Sequence, residues 1–223
     1  MSRVIRAFAL ACALPVFAVA VHAQSCLGYP AFDTGPLNIS ASGTVGGRFW
    51  GSGLGVNLGR RTGGGFGGVG VNSTSYIDDP KETRFTYVGV AGYEQHNADQ
   101  MIWCPMATAA FERGQQVDLI GGGHAKTNGT VFGAGVGISF EIAGRGRFSV
   151  DPFLNGRYIV LNSEVTGDST HKFTEQGITF TLGLGIRPTD AVQITPSFSG
   201  STLPNADLVF NLRISVALEF RKK

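Results

Sequence analysis

Three kinds of side chain in this sequence could do chemistry: histidines, cysteines, and charges that recur on one face of alternating segments. Beyond the N-terminal leader the histidines are His96, His124 and His171. Glu112 with His124, or Asp168 with His171, could form an acid/base pair. Neither comes with a nucleophile or an oxyanion hole, which hydrolysis by acyl transfer needs. All three histidines fall in polar links, where solvated side chains are the simpler reading. The stretches 63–68 and 65–70 both satisfy G-x-G-x-x-G. A dinucleotide site needs that pattern between a strand and a helix, and no helix opens here. No P-loop or G-x-S-x-G motif is present. The histidines show no metal-ligand spacing with the cysteines. The sequence therefore predicts no catalytic, cofactor or metal site.

The cysteines are Cys12, Cys26 and Cys104. Cys12 lies in a leader: Arg3 and Arg6, an apolar run from Ala7 to Val21 broken by Pro15, then the small-x-small site Val21-His22-Ala23. That is a secretory signal peptide over 1–23, too short for a comfortable membrane span. The mature chain is expected to begin at Gln24. It keeps Cys26 and Cys104, an even count in an exported protein, and one disulfide is the economical reading. Two free thiols are the alternative.

Losing Arg3 and Arg6 from 18 basic residues leaves 16, against 16 acidic ones. A neutral chain without a basic patch gives no reason to expect a nucleic-acid partner. All 33 glycines lie in the mature chain, well above the usual usage of about 7%.

The third set of residues has meaning only through the elements that carry it. The last stretch, Leu208 to Phe220, alternates strictly. Leu208, Phe210, Leu212, Ile214, Val216, Leu218 and Phe220 share one side; Val209, Asn211, Arg213, Ser215, Ala217 and Glu219 share the other. Period two marks a strand whose faces meet different media. Nine earlier runs follow suit: Leu37–Val45, Phe49–Gly59, Gly65–Tyr76, Thr83–Gln95, Met101–Glu112, Gly129–Ile142, Arg147–Leu161, Thr174–Arg187 and Ala191–Ser199. Met101–Glu112 is the least clearly patterned. The links Arg113–Asn128 and Asn162–Lys172 are long and polar; the turns at Gly144-Arg145-Gly146 and Pro188-Thr189-Asp190 are short.

The polar faces are mostly Gly, Ser and Thr with a few charges, which no soluble core would tolerate. A barrel turned inside out requires them: apolar outside, polar and crowded within. The fold class is thus an all-β, closed, antiparallel up-and-down transmembrane barrel over 37–220, with about ten strands and eight as the alternative. Residues 24–36 form a periplasmic lead and 221–223 a basic tail. With an even strand number both ends lie in the periplasm, the long links become extracellular loops, and Cys104 shares the periplasmic end with Cys26. Arg84, Glu94, Glu141, Asp151, Arg157, Glu175, Arg187, Arg213 and Glu219 then face the lumen. Unpaired charges there are costly, so they should pair across it and plug it; a conducting pore is the alternative. Trp50, Tyr87, Tyr93, Phe132, Tyr158 and Phe220 should form interface girdles.

A signal peptide, about ten amphipathic strands and an aromatic-ended last strand resemble the small outer-membrane β-barrel proteins of Gram-negative-type bacteria, the OmpA/OmpX-like barrel class. The resemblance implies a cell outer-membrane location, lipid as surroundings, a monomeric barrel, and the barrel assembly machinery as partner during biogenesis. It also implies an assembly signal at Arg213, Ser215, Leu218 and Phe220. Ser215 stands where Gly is usual, and Arg221-Lys222-Lys223 follow the aromatic. The expected role is structural, surface-interacting or that of a narrow pore, without enzymatic activity. The sequence does not identify what the loops touch. Two rivals remain: a secreted lipocalin-like barrel binding an apolar ligand, and an outer-membrane hydrolase with a loop active site.

Overall fold

The computed structural model describes residues 37–59, 64–77, 83–96, 101–118, 124–140, 142–143, 148–167, 170–189, 191–204 and 206–218. The leader 1–23, the lead 24–36 with Cys26, Glu141, Asp168, and the end 219–223 with Glu219 and Phe220 lie outside the described residues.

The ten alternating runs form ten strands. They are β1 (Leu37–Val45), β2 (Phe49–Leu58), β3 (Gly64–Tyr76), β4 (Thr83–His96) and β5 (Met101–Asp118). Then come β6 (His124–Phe140), β7 (Ser149–Thr166), β8 (Thr170–Thr189), β9 (Val192–Ser201) and β10 (Val209–Leu218). Ile142–Ala143 prolongs β6 and pairs with β7. Every strand pairs antiparallel with its chain neighbours, and β1 pairs with β10 from Leu37↔Leu218 to Val45↔Phe210. That last ladder closes the sheet, so no edge is left to face lipid. Eight strands, the alternative count, are excluded. Among the described residues no helix is long and apolar enough to cross a membrane.

The strict alternation sets which side chains point out. On β2, Trp50, Leu54, Val56 and Leu58 are exposed while Gly51, Gly53, Gly55 and Asn57 are buried. On β10, Phe210, Leu212, Ile214 and Val216 point out while Asn211, Arg213 and Ser215 point in. The soluble lipocalin-like arrangement has the opposite polarity and does not fit.

Glycine is abundant because the lumen is crowded. A Cβ on Gly53 would stand 1.9 Å from Asn72 Oδ1, one on Gly92 2.3 Å from the Phe66 ring, and one on Gly183 2.5 Å from the Phe153 ring. Each glycine makes room for a larger side chain on the next strand. Gly64 has a different reason: its φ of 106° opens β3 in a conformation other residues avoid.

Two expectations about loops are corrected. Arg113–Asn128 and Asn162–Lys172 read as long polar links. Instead β5 runs on to Asp118, β6 begins at His124, β7 reaches Thr166 and β8 begins at Thr170. Above the membrane the outward face is polar as well, so period two fades in the sequence while the backbone ladder continues and inward side chains such as Thr127 and Val165 stay buried. A bulge between Arg113 and Gln116 marks where β5 leaves the regular register.

Candidate functional site

Two regions could carry function: the lumen and the wall above the outer rim. In the lumen, Arg84 on β4 and Glu112 on β5 form an ion pair, Nη1 to Oε1 3.1 Å, with both side chains 1% exposed. The Arg84 guanidinium also lies 5.1 Å from the centre of the Tyr76 ring. Asp151 on β7 and Arg187 on β8 pair at 3.0 Å. Both pairs join neighbouring strands, diagonal to the register, rather than reaching across the lumen as expected. The cause is geometric: an i, j±2 diagonal on one sheet face is within reach of a long side chain.

The other sequence-selected charges are distributed differently. Glu94 and Arg213 are buried in the lumen. Arg157 points inward from the middle of β7 and forms no ion pair among the described residues. Gly135 lies opposite it, and a Cβ there would stand 2.7 Å from Arg157 Cα and 2.1 Å from the Gly156 carbonyl oxygen. Glu175 sits half-buried high on β8. Glu112 is a lumen group that the sequence pattern does not reveal, whereas Gln193 lies on the inward, polar side that the alternation of β9 requires. The parity Met106, Thr108, Glu112 on β5 carries the signal for Glu112, but Pro105 and the alanines obscure it. Gln193 donates to Thr195 Oγ1 at 3.1 Å, and Gly185 leaves its amide space.

The lumen is not uniformly polar. Phe66, Val88, Val90, Ile102, Cys104 and Met106 form an apolar cluster on the inner faces of β3, β4 and β5. Cys104 is completely buried and disulfide-bonded. Its expected partner Cys26 lies outside the described residues. A second cluster, Val131, Ile159, Leu161 and Leu203, closes around the link between β9 and β10. Thr202 N donates to the Ile178 carbonyl and Ile178 N to Thr202 Oγ1, both at 2.9 Å, and this holds Leu203 over the outer mouth. Gly177 makes the approach possible, since its Cβ would stand 2.7 Å from Leu203. Arg48 and Asp207, 3.2 Å apart, clasp the β1–β2 turn to the same link.

Outside, the apolar belt has two aromatic borders. Tyr87, Phe111, Phe132 and Tyr158 are exposed on the extracellular side, and Tyr93 and Phe140 on the periplasmic side. Trp50 is exposed at the outer end of β2. Phe132 to Phe140 on β6 spans eight steps, roughly 20 Å of height at a barrel tilt, close to the usual apolar band of about 25 Å. Above this band β5, β6, β7 and β8 continue as a wall. Its outer face is polar, with Arg113, Lys126, Asn128, Asn162, Thr174 and Lys172. Glu164 and Lys172 pair at 3.6 Å, Thr174 Oγ1 donates to Asn162 Oδ1 at 2.9 Å, and Tyr158 Oη donates to Gln176 Oε1.

Of the imagined acid/base pairs, Glu112 is committed to Arg84 inside the lumen, and Asp168 lies outside the described residues. Among the described residues no group of His, Cys, Asp and Glu could hold a metal ion. Arg213, Ser215 and Leu218 of the expected assembly signal share β10, and Phe220 lies beyond the described residues.

An apolar exterior, a polar packed interior and ladder closure define an integral β-barrel of the outer membrane. A solved structure agrees on the fold. The chain is similar to the translocator domain of the autotransporter NalP from Neisseria meningitidis, at 10% identity over 96% of this chain and 97% of that one, TM-score 0.59. The β domain of the Bordetella autotransporter BrkA aligns at 13% identity, 83% and 100% coverage, TM-score 0.48. Neisserial surface protein A aligns at 14% identity, 82% and 96% coverage, TM-score 0.38. No family model and no curated protein matches the sequence.

Proposed function

We propose that this barrel is a non-enzymatic surface-contact protein whose lumen is closed to solutes and whose working surface is the wall of β5 to β8. The observation that carries the reading is strand length. β5, β6, β7 and β8 have 18, 17, 18 and 20 residues, whereas β1, β2, β9 and β10 have 9, 10, 10 and 10. About 9 to 11 residues cross the hydrocarbon. The surplus raises a sheet about 20 Å above the membrane on one side of the barrel. A pore has no use for such a wall, while an adhesive or structural protein presents its contact surface there.

Closure of the lumen is supported by the buried ion pairs and by Leu203 over the mouth. The barrel works as a monomer surrounded by outer-membrane lipid, after insertion by the barrel assembly machinery through the β10 signal. Planar-bilayer recording of the purified protein tests the closed lumen: no resolved steps are expected, and porin-like steps overturn it. Cells displaying the barrel with both tall hairpins trimmed should lose surface attachment while keeping a folded, heat-modifiable barrel. Unchanged attachment refutes the contact role.

A further inference from the structure

We infer that the lipid-facing side of β3 to β6 binds one anionic lipid of the outer leaflet: an apolar hollow takes an acyl chain, and Arg113 with Lys126 above it takes the phosphate. The inference rests on the integral barrel and not on the surface-contact reading.

The strand register makes the hollow. Val69, Gly89, Ala109 and Phe132 lie side by side on β3, β4, β5 and β6. All four belong to the outward parity of their strands. Two bulky side chains therefore flank two positions that carry almost none. In the row above, Val71, Tyr87 and Phe111 are bulky. In the row below, Gly67, Ala91, Ala107 and Ala134 are all small. The result is a depression of about 920 Å³, bounded at the aromatic border and open towards the membrane centre. No charged side chain lines it. Its volume lies within the range of about 300–1,000 Å³ common to ligand pockets. A void there would forfeit its dispersion contacts, and in the hydrocarbon band the apolar group at hand is an acyl chain.

The charges above the hollow select the headgroup. Arg113 follows Phe111 on the outward face of β5 and is exposed. Its neighbours in register are Phe85 on β4 and Asn128 on β6, neither of them charged. Lys126 is the next residue beyond Asn128 on the same face, at a diagonal that long side chains can bridge. Neither cation forms an ion pair among the described residues. The acid on the neighbouring strand, Glu164, lies opposite Asn128 and is committed to Lys172 at 3.6 Å. Two adjacent like charges at headgroup height repel each other, and one phosphate between them reverses the sign of that interaction. Basic residues at a membrane surface favour anionic lipid for this reason. A second copy of the barrel, docked symmetrically on the same patch, would set Arg113 and Lys126 against their own images. The charge pattern therefore favours a lipid over a partner barrel.

Native mass spectrometry of the full-length mature barrel tests the inference. The protein is reconstituted in vesicles of equal parts dimyristoyl phosphatidylglycerol and dimyristoyl phosphatidylcholine, which share their chains and differ in net charge. Retained phosphatidylglycerol should exceed phosphatidylcholine on the order of 10-fold. Arg113→Ser combined with Lys126→Ser should abolish that preference. Lys172→Ser should preserve it, because Glu164 already matches that charge. Gly89→Leu should lower the retention of both lipids: a Cβ there meets nothing closer than 4.0 Å, so the larger side chain fills the hollow without disturbing the strands. Heat-modifiable migration reports that the barrel is folded in every sample. Equal retention of the two lipids, a preference that survives loss of both cations, or a lipid load untouched by Gly89→Leu would each overturn the inference. Recovery of lipid-free dimers would do the same.

Discussion

Replacing Glu112 with Gln keeps the volume of the side chain and removes its charge, taking that counter-charge away from the buried Arg84. Arg84 and Glu112 are both 1% exposed and 3.1 Å apart. Two unit charges about 4 Å apart attract by about 4 kcal/mol at an effective dielectric of about 20, but by only about 1 kcal/mol in water. Losing one partner of a buried pair costs about 3–5 kcal/mol, because the remaining charge stays desolvated. Glu112→Gln should therefore destabilise the barrel by about 3–5 kcal/mol. The Tyr76 ring gives Arg84 some compensation, on the order of 1 kcal/mol. The double variant Arg84→Met with Glu112→Leu removes both charges and should recover most of the loss. Reversible denaturant unfolding in detergent, followed through Trp50 and Trp103 fluorescence, measures all three variants. If Glu112→Gln costs less than about 1 kcal/mol, the pair behaves as an exposed one. The lumen would then be hydrated and the closed-barrel reasoning would fail.

Other perturbations separate the lumen, the lipid face and the rim. Gly135→Ala places a Cβ 2.1 Å from the Gly156 carbonyl oxygen, whereas Gly43 has nothing within 4 Å; the first should cost at least about 1–3 kcal/mol and the second well under 1, read as the heat-modifiable fraction after refolding. Leu182→Arg puts a charge on the exposed apolar face near the middle of β8 and should cost about 2–4 kcal/mol in lipid vesicles, while Thr174→Arg above the membrane should cost about 0–1. Arg48→Ala breaks a largely solvated pair with Asp207 and should change stability by less than about 1 kcal/mol. Leu218→Ala should slow assembly more than it destabilises the finished barrel, as shown by pulse-labelled insertion against equilibrium unfolding.

The membrane-spanning part of the fold was legible because lipid and lumen impose opposite polarity on successive residues. Leu37–Val45 agrees to the residue, and Trp50, Tyr87, Phe132 and Ile214 all face outward as the alternation requires. The wall was not legible. Lys126, Thr127 and Asn128 carry no alternation of polarity, because the outward side chains are polar like the buried Thr127, and only the ladder to Thr166, Val165 and Glu164 makes them a strand. In the lumen the inward parity of Arg84 and Arg213 could be read, but the pairing could not. Whether Arg84 meets Glu112 depends on the stagger of β4 against β5, where Thr86 lies opposite Glu112. Period two gives a face and no register. The apolar cluster around Cys104 escaped for the converse reason: Val88 and Val90 break the polar-inside rule, so they weaken the pattern where the lumen is most specialised.

The central claim is that this barrel wears its apolar face against lipid up to a border on β6. A tryptophan scan with brominated acyl chains tests it most directly, with Trp50 and Trp103 changed to Phe and a single Trp at Phe132 or Asn128. Both positions lie on the outward face of β6, four residues apart. Strong quenching at 132 and little at 128 is the result expected of a barrel whose membrane border lies between them. Absence of quenching at both positions would contradict the integral barrel.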